Sequence, residues 1–228
     1  SGSAALPVTI GERWRAITGA YPLERFGMTE IGVGASNPLD PAQRRPGMVG
    51  LPLRTVATRI VGDDGRDADS GELWIAGPCV FVGYNGRPDA TRDAFVDHAG
   101  TRWFKTGDTV SRETDGYIKI LGRTSVDILK SGGYKLSALE IEEVLREHAA
   151  VGEVAVVGMP DELWGERVVA CVVPRPGREA DCTEDALRGF AKEKLAPYKV
   201  PKQVVVMADL PRNAVGKVVK PALVKKLG

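Results

Sequence analysis

The sequence predicts a mixed α/β and α+β chain, with a small twisted β-sheet or barrel in its first part and a small αβ domain after it. Three observations predict this. Short β-rich runs between residues 47 and 83 are separated by Gly, Pro and Asp. The segment Val61-Gly-Asp-Asp-Gly-Arg66 is a strong turn signal among them. Beyond residue 122, buried-looking apolar runs alternate with segments of helical period.

In chain order, residues 9–17 predict a helix, because Ile10, Trp14 and Ile17 fall at helical spacing and form one apolar face. Strands are expected over 56–61, 73–75 and 80–82. Asp115-Gly116 is a further turn signal, with residues 117–121 as the strand that leaves it. Gly122-Arg-Thr-Ser125 marks a boundary, which gives domains of 1–122 and 123–228. Ser137, with Glu140 three residues on, reads as a capping box, and Ile141, Val144 and Leu145 supply that helix with an apolar face. Residues 154–157 and 168–173 read as buried strands, and 204–207 as a third. Residues 184–195 read as a helix with Leu187, Phe190 and Leu195 inward, and 221–227 as a short closing helix.

Composition narrows the function classes. The 228 residues carry 31 basic and 30 acidic side chains, a formal net charge of +1. A nucleic-acid or anionic-membrane partner would favour a basic excess, so neither is expected. No apolar run approaches the roughly 20 residues of a membrane helix. The 3 cysteines, Cys79, Cys171 and Cys182, have no metal-site spacing. Cys79 and Cys171 lie in apolar runs and are expected as buried free thiols, which suits a reducing cytoplasm. The first residue is not Met and no basic-then-apolar leader follows, so a piece of a longer protein is expected.

Five segments place glycine and polar residues where a core would hold neither. In Phe26-Gly-Met-Thr-Glu30, a hydroxyl beside a carboxylate suits a phosphate and its magnesium; the alternative is a helix N-terminus capped by Thr29. In Trp103-Phe-Lys-Thr-Gly-Asp108, the aspartate can accept two ribose hydroxyls or form an Asx turn. In Leu121-Gly-Arg-Thr-Ser-Val-Asp127, Arg123 can meet a nucleotide or pair with a surface carboxylate. Lys130-Ser-Gly-Gly-Tyr-Lys135 sets adjacent glycines between lysines, for close approach of a phosphorylated ligand or as a plain strand-to-helix loop. It lacks the spacing of a Walker loop. Pro211-Arg-Asn-Ala-Val-Gly-Lys217 presents a lysine from a loop, and taken alone that is a solvated charge.

In this order the five segments resemble, motif for motif, the AMP-forming acyl-CoA synthetase family, which includes luciferases and peptide-synthetase adenylation domains. Ser1-Gly-Ser-Ala-Ala-Leu-Pro7 is similar to that family's segment lining the adenine and acyl pocket. The resemblance implies that residues 1–122 end the large AMP-binding domain and that 123–228 form the mobile carboxyl-terminal lid. It implies ATP, Mg²⁺ and coenzyme A: a carboxylate attacks the α-phosphate, and the acyl-adenylate then passes to the CoA thiol. Lys217 would neutralise the meeting anions, Glu30 would hold Mg²⁺ and Thr29 would touch phosphate. Asp108 would bind the ribose, assisted by Arg123, while Phe26 (commonly Tyr in the family) and Ala4 would flank the adenine. Ser125 falls at the hinge, where Asp or Lys is commoner. Lys130, Gly132 and Gly133 would line the path of pantetheine.

The finer resemblance is to malonyl-CoA and methylmalonyl-CoA synthetases, carried by Ser36-Asn-Pro38, Arg44-Arg-Pro-Gly47, Gly122-Arg-Thr-Ser-Val-Asp127 and Leu195-Ala-Pro-Tyr-Lys199. A dicarboxylate needs a cation for its second carboxylate, and Arg44 sits where the subgroup has an arginine suited to that task. A medium- or long-chain fatty acid is the alternative substrate. A carrier-protein-loading adenylation domain and a non-enzymatic binding module are the alternative classes. The family's Ser/Thr/Gly-rich phosphate loop is missing, so the chain alone is expected to be inactive and to need the amino-terminal remainder of the same enzyme.

Overall fold

Residues 1–228 are all described by the computed structural model, and the chain divides into two units, Ser1–Ile120 and Leu121–Gly228. The first unit opens with helix α1 (Val8–Thr18), stopped by Gly19 in the left-handed conformation with its N–H donated to Arg15 O. Ile10, Trp14 and Ile17 do share one side, but that side is exposed, with Ile17 at 83%. The side turned inward is the narrow one at Gly11, where a Cβ would strike the ring of Tyr21.

Strands β1 (Arg25–Met28) and β2 (Gly32–Ser36) form a hairpin, and β3 (Leu51–Pro52) pairs with β2. Strands β4 (Ala57–Val61), β5 (Ser70–Ala76), β6 (Phe95–His98), β7 (Thr101–Arg112) and β8 (Ile118–Arg123) make a curled five-stranded sheet. Its order is β4-β5-β7-β6, with β8 also on β7, and a short helix α2 (Pro88–Ala94) precedes β6. The expected turn after Val61 is present, closed by Gly65 N–H to Gly62 O at 3.0 Å. The core holds Ile60, Leu73, Ile75, Phe104, Val110 and Ile118, joined by Ile31 from the hairpin turn.

The strand expected over 80–82 does not form. After Gly77-Pro78 the chain turns, Phe81 N–H donates to Glu30 O at 2.8 Å, and Val82 stands 88% exposed. Phe81 is drawn instead into a ring cluster with Phe95 and Phe104.

In the second unit, β9 (Ile128–Ser131) and β10 (Tyr134–Ser137) form a hairpin over a two-residue turn at Gly132 and Gly133. Their φ values of 58° and 81° are those a type I′ turn demands, which favours glycine at both positions. Helix α3 (Ala138–Arg146) begins where Ser137 Oγ accepts Glu140 N–H at 3.2 Å. Glu140 completes no reciprocal box; its carboxylate holds Lys199 Nζ at 2.7 Å.

Strands β11 (Val151–Asp161) and β12 (Gly165–Pro174) form a long hairpin, and β13 (Gln203–Val206) lies parallel to β12. Helix α4 (Glu184–Lys194) is capped by Thr183, and α5 (Lys220–Leu227) closes the chain. Successive residues of β11 and β12 point to opposite faces. Val154, Val156, Val168 and Ala170 pack with Ile141, Leu145 and Leu187 of α3 and α4. Ala155, Val157, Val169 and Cys171 pack with Leu223 of α5. Covering on both faces explains why these strands read as unbroken apolar runs. Truncating a fully buried anchor such as Leu187 to Ala should cost about 2–5 kcal/mol.

Cys171 and Cys182 are buried free thiols, and burial pushes the Cys171 thiol up to about 11. Cys79 is only half-buried, because the segment that carries it turns rather than entering the sheet.

Candidate functional site

In the first unit, Thr29 and Glu30 occupy the turn of the β1–β2 hairpin. The alternative reading, with Thr29 capping a helix, does not hold. Gly32, at φ 62°, allows the tight reversal, and a Cβ on Gly27 would strike the carbonyl of Gly32. Thr29 is exposed, while Glu30 is half-buried and accepts the hydroxyl of Tyr84 on Oε1 at 3.0 Å. Phe26 faces the sheet core, and Ala4 is exposed in the segment that runs beside β1. That segment is tied to the strand by Arg25 N–H donating to Ser1 O at 3.0 Å.

Asp108 lies on β7, 6% exposed. The β5–β7 register shifts between Glu72 and Trp74, opposite Gly107 at φ 72°. Glu72 Oε1 accepts Gly107 N–H at 3.1 Å, and Thr106 Oγ1 accepts Asp108 N–H at 3.1 Å while donating to Leu73 O at 2.7 Å. Such bulges re-aim a side chain and recur beside active sites.

Arg44 is half-buried, and its guanidinium donates to three main-chain carbonyls: Tyr21 at 2.8 Å, Leu39 at 2.7 Å and Pro38 at 3.3 Å. Its neighbour Arg45 is exposed, paired with Asp115 and placed over the Tyr117 ring at 4.1 Å. Tyr117 in turn donates its hydroxyl to Gln43 O at 2.8 Å. The 43–45 segment is therefore clamped from both ends.

In the second unit, Arg123 and Ser125 are exposed, and Ser125 sits in the turn 124–127. Arg123 O accepts Asp127 N–H at 2.8 Å and closes that turn. Lys130 is exposed, with its N–H donated to Glu166. A Cβ on Gly132 would meet the Trp164 ring at 3.0 Å, whereas one on Gly133 would meet nothing within 4 Å. Around this hairpin tip the structure gathers residues to which the sequence analysis gives no individual role. Tyr134 stacks on Tyr198 with ring centroids 4.3 Å apart, and Lys202 Nζ lies 4.2 Å over the Trp164 ring. Beside them Arg188, Lys192 and Lys202 line a shallow groove of about 370 Å³. The Asx turn at Asp161, whose Oδ1 accepts Leu163 N–H and Trp164 N–H just before Gly165, was the available signal.

Lys217 is exposed at the end of a loop whose backbone is fixed. Asn213 Oδ1 accepts Lys217 N–H at 2.9 Å and Val215 N–H at 3.1 Å, and Asn213 N–H donates to Lys217 O at 2.9 Å. Arg212 donates to Gly216 O at 2.7 Å and pairs with Glu153 of β11. Asn213 therefore does more than mark a turn: it sets the direction from which the lysine leaves.

Two protein families match. The model of the AMP-binding enzyme family covers residues 1–85, and that of the AMP-binding enzyme C-terminal domain covers 140–217. The chain is 46% identical, over 99% of its length, to the human protein named malonate–CoA ligase ACSF3, mitochondrial, and covers 42% of it. It is 44% identical to the sulfoacetate–CoA ligase of Cupriavidus necator, covering 96% of this chain and 42% of the relative. The crystal structure of ATP-bound MatB from Rhodopseudomonas palustris superposes with a TM-score of 0.90 at 37% identity, over 99% of this chain and 44% of that one. The chain thus spans less than half the length of the relatives it matches.

Proposed function

The chain belongs to the AMP-binding enzyme family, and from that premise we propose that it is the carboxyl-terminal part of an AMP-forming acid–thiol ligase acting on malonate or methylmalonate. In the first step a carboxylate oxygen bonds the α-phosphorus of ATP and pyrophosphate leaves. In the second the thiol of coenzyme A loses its proton, its sulfur bonds the acyl carbon, and AMP leaves. The first step brings two anions together, so neutralising their charge is the main catalytic need.

The observation that carries this reading is Lys217: an exposed ammonium on a loop whose backbone Asn213 and Arg212 hold in one shape. A cation meant for two approaching anions must be accessible and yet already placed. Residues 1–122 would end the large nucleotide domain and 123–228 would form the mobile one, with Ser125 as pivot in its exposed turn. Thr29 would touch phosphate, Asp108 and Arg123 would hold the ribose, and Phe26 and Ala4 would flank the adenine.

Glu30 would hold Mg²⁺, which when bound neutralises phosphate charge. The donor set fits: this ion takes one or two carboxylates together with phosphate oxygens and water. No group of three His, Cys, Asp or Glu could hold a metal without the nucleotide. For coenzyme A, the open face of Gly133 leaves room for pantetheine. The Tyr134, Tyr198 and Trp164 rings, with Lys130 and Lys202, offer stacking surface and positive charge to its nucleotide end.

The human and Cupriavidus relatives are named for acids that carry a second anionic group, which supports malonate or methylmalonate over a fatty acid. The relatives named as CoA ligases favour free coenzyme A over a carrier protein as acceptor. The amino-terminal remainder of the enzyme is its required partner. No helix is long and apolar enough to cross a membrane. The cytoplasm is proposed on the three free thiols alone, since the human relative is named mitochondrial.

The test is ATP–pyrophosphate exchange by the complete enzyme with malonate, methylmalonate, sulfoacetate and butyrate, followed by AMP release on adding free coenzyme A. Exchange with malonate or methylmalonate well above butyrate, discharged by free coenzyme A, is expected. No acid-dependent exchange, or discharge only to a phosphopantetheinylated carrier, would overturn the proposal.

A further inference from the structure

Lys220 is the first residue of α5, three positions beyond Lys217, and it is 9% exposed. Its ammonium lies 2.5 Å from Asp127 Oδ1 and 2.7 Å from Glu142 Oε1. Glu142, on α3, is 6% exposed and also accepts Val156 N–H of β11 at 2.8 Å. Asp127 lies two residues beyond Ser125; its Oδ2 accepts Arg123 N–H at 2.9 Å and its carbonyl accepts Ala138 N–H at 2.8 Å. One buried cation therefore joins three places in the second unit: the turn through which the chain enters it, the helix α3, and the exit of the Lys217 loop.

This arrangement is not the one that burial alone would favour. Two carboxylates share one ammonium, and burial raises the pKa of Glu142. A buried ion cluster of this kind adds little stability over apolar side chains of the same volume, but it is satisfied in only one geometry. Val219 N–H, donated to Pro211 O at 2.8 Å, closes the base of the Lys217 loop immediately before Lys220. Whatever fixes Lys220 therefore fixes the base from which Lys217 projects.

We propose that Lys220 is a positioning residue, whose ammonium, held by Asp127 and Glu142, pins the Lys217 loop to the turn that contains Ser125. The inference rests on the catalytic reading of Lys217, but the tether itself can be read without any activity. When the chain pivots about Ser125, the loop follows the turn as one piece, because both are anchored to the same cation.

The experiment uses the complete enzyme and the variants Lys220→Met, Lys220→Arg and Asp127→Asn. Amide hydrogen exchange is followed across the chain, together with the two half-reactions. In Lys220→Met, faster exchange is expected in segments 123–127 and 211–219 while β11 and β12 keep their protection. Lys220→Arg should restore most of it, and Asp127→Asn should loosen the same two segments if the methionine variant fails to fold. Adenylation should fall roughly tenfold or more with little change in KM, as a displaced catalytic group requires. Transfer from a preformed acyl-adenylate should fall less. Unchanged exchange in both segments overturns the tether, as does uniform loosening of the whole second unit, which would make the cluster merely structural. Local loosening with adenylation intact would leave the tether standing and overturn the catalytic reading of Lys217.

Discussion

The hydroxyl of Tyr84 donates to Glu30 Oε1 at 3.0 Å, joining two residues 54 positions apart. Phe81 N–H, donated to Glu30 O at 2.8 Å, holds the same residue from its main chain. The carboxylate proposed for magnesium is thus oriented by the phenol of Tyr84, which would act on the ion through Glu30. Outer partners of this kind typically contribute 10–100-fold to metal affinity or activity, so Tyr84→Phe should raise the Mg²⁺ concentration needed for half-maximal exchange about tenfold. Glu30→Gln should raise it further. A magnesium titration of pyrophosphate exchange checks this, and an unaltered curve for Tyr84→Phe would remove the orienting role.

Asn213 predicts a different split. Its Oδ1 takes the N–H groups of Val215 and Lys217, so Asn213→Ala frees the loop without touching the ammonium. Adenylation should fall roughly 10- to 100-fold, the cost of misplacing a catalytic group by about an ångström. Thermal stability should change little, because the loop is exposed. Asn213→Asp keeps the accepting oxygen and should retain most of the rate. Equal losses in the two variants would mean that the accepting oxygen does not set the loop.

How much of this was legible in the sequence depended on side-chain period. The strands of the second unit were readable because both faces are covered and the apolar runs are unbroken. The β1–β2 hairpin was not, because Gly27, Gly32 and Gly34 supply almost no pattern: Gly27 lets the carbonyl of Gly32 approach, Gly32 supplies the reversal, and Gly34 leaves room for the side chains of Ile31 and Ile75. The α1 stripe of Ile10, Trp14 and Ile17 was read correctly as a stripe, but nothing in a period tells which side a partner covers. Thr29, Glu30, Asp108 and Lys217 are proposed from motif order. Tyr84, Asn213, Trp164 and Lys220 were missed, because each acts through a partner far away in sequence or through a backbone group.

The two glycines of the β9–β10 turn should separate cleanly. Alanine at either position pays a backbone penalty of about 1–2 kcal/mol for the left-handed conformation. Only Gly132→Ala also meets the Trp164 ring, at 3.0 Å, while the Cβ of Gly133→Ala enters open space. If that space is the path of pantetheine, Gly133→Ala should raise KM for coenzyme A and slow thioester formation while adenylation holds. Gly132→Ala should add a shift in Trp164 fluorescence. Half-reaction kinetics with melting curves check both, and loss of adenylation in Gly133→Ala would deny that path.

Lys220 gives a pH dependence with a definite sign. Burial alone would lower its pKa, but Glu142 and Asp127 outweigh that, and the folded value lies above the ordinary one. A raised folded value means that the contribution to stability is fully present below the unfolded pKa of about 10.4 and is lost as pH rises through the folded value. The gap in melting temperature between the parent enzyme and Lys220→Met should therefore hold from pH 9 to about 10.4 and close above it. A gap that closes below pH 9 would mean that the ammonium is not held by its carboxylates.

Arg44 sets two roles against each other. By resemblance it would meet the second carboxylate of malonate, yet its guanidinium already donates to the carbonyls of Tyr21, Pro38 and Leu39. Those bonds staple the end of the segment after α1 to the loop after β2, and a carboxylate would have to compete with them. Hydrogen bonds from a charged donor contribute about 1.5–3 kcal/mol at most, less where water reaches them, so Arg44→Leu should cost on the order of 2 kcal/mol of stability. Lysine cannot reproduce three fixed donor directions and should recover little of that. If the staple is its whole role, Arg44→Leu raises KM for malonate and butyrate alike, and the cation for the second carboxylate lies elsewhere in the complete enzyme. A rise confined to malonate, with melting unchanged, would instead assign Arg44 to the substrate.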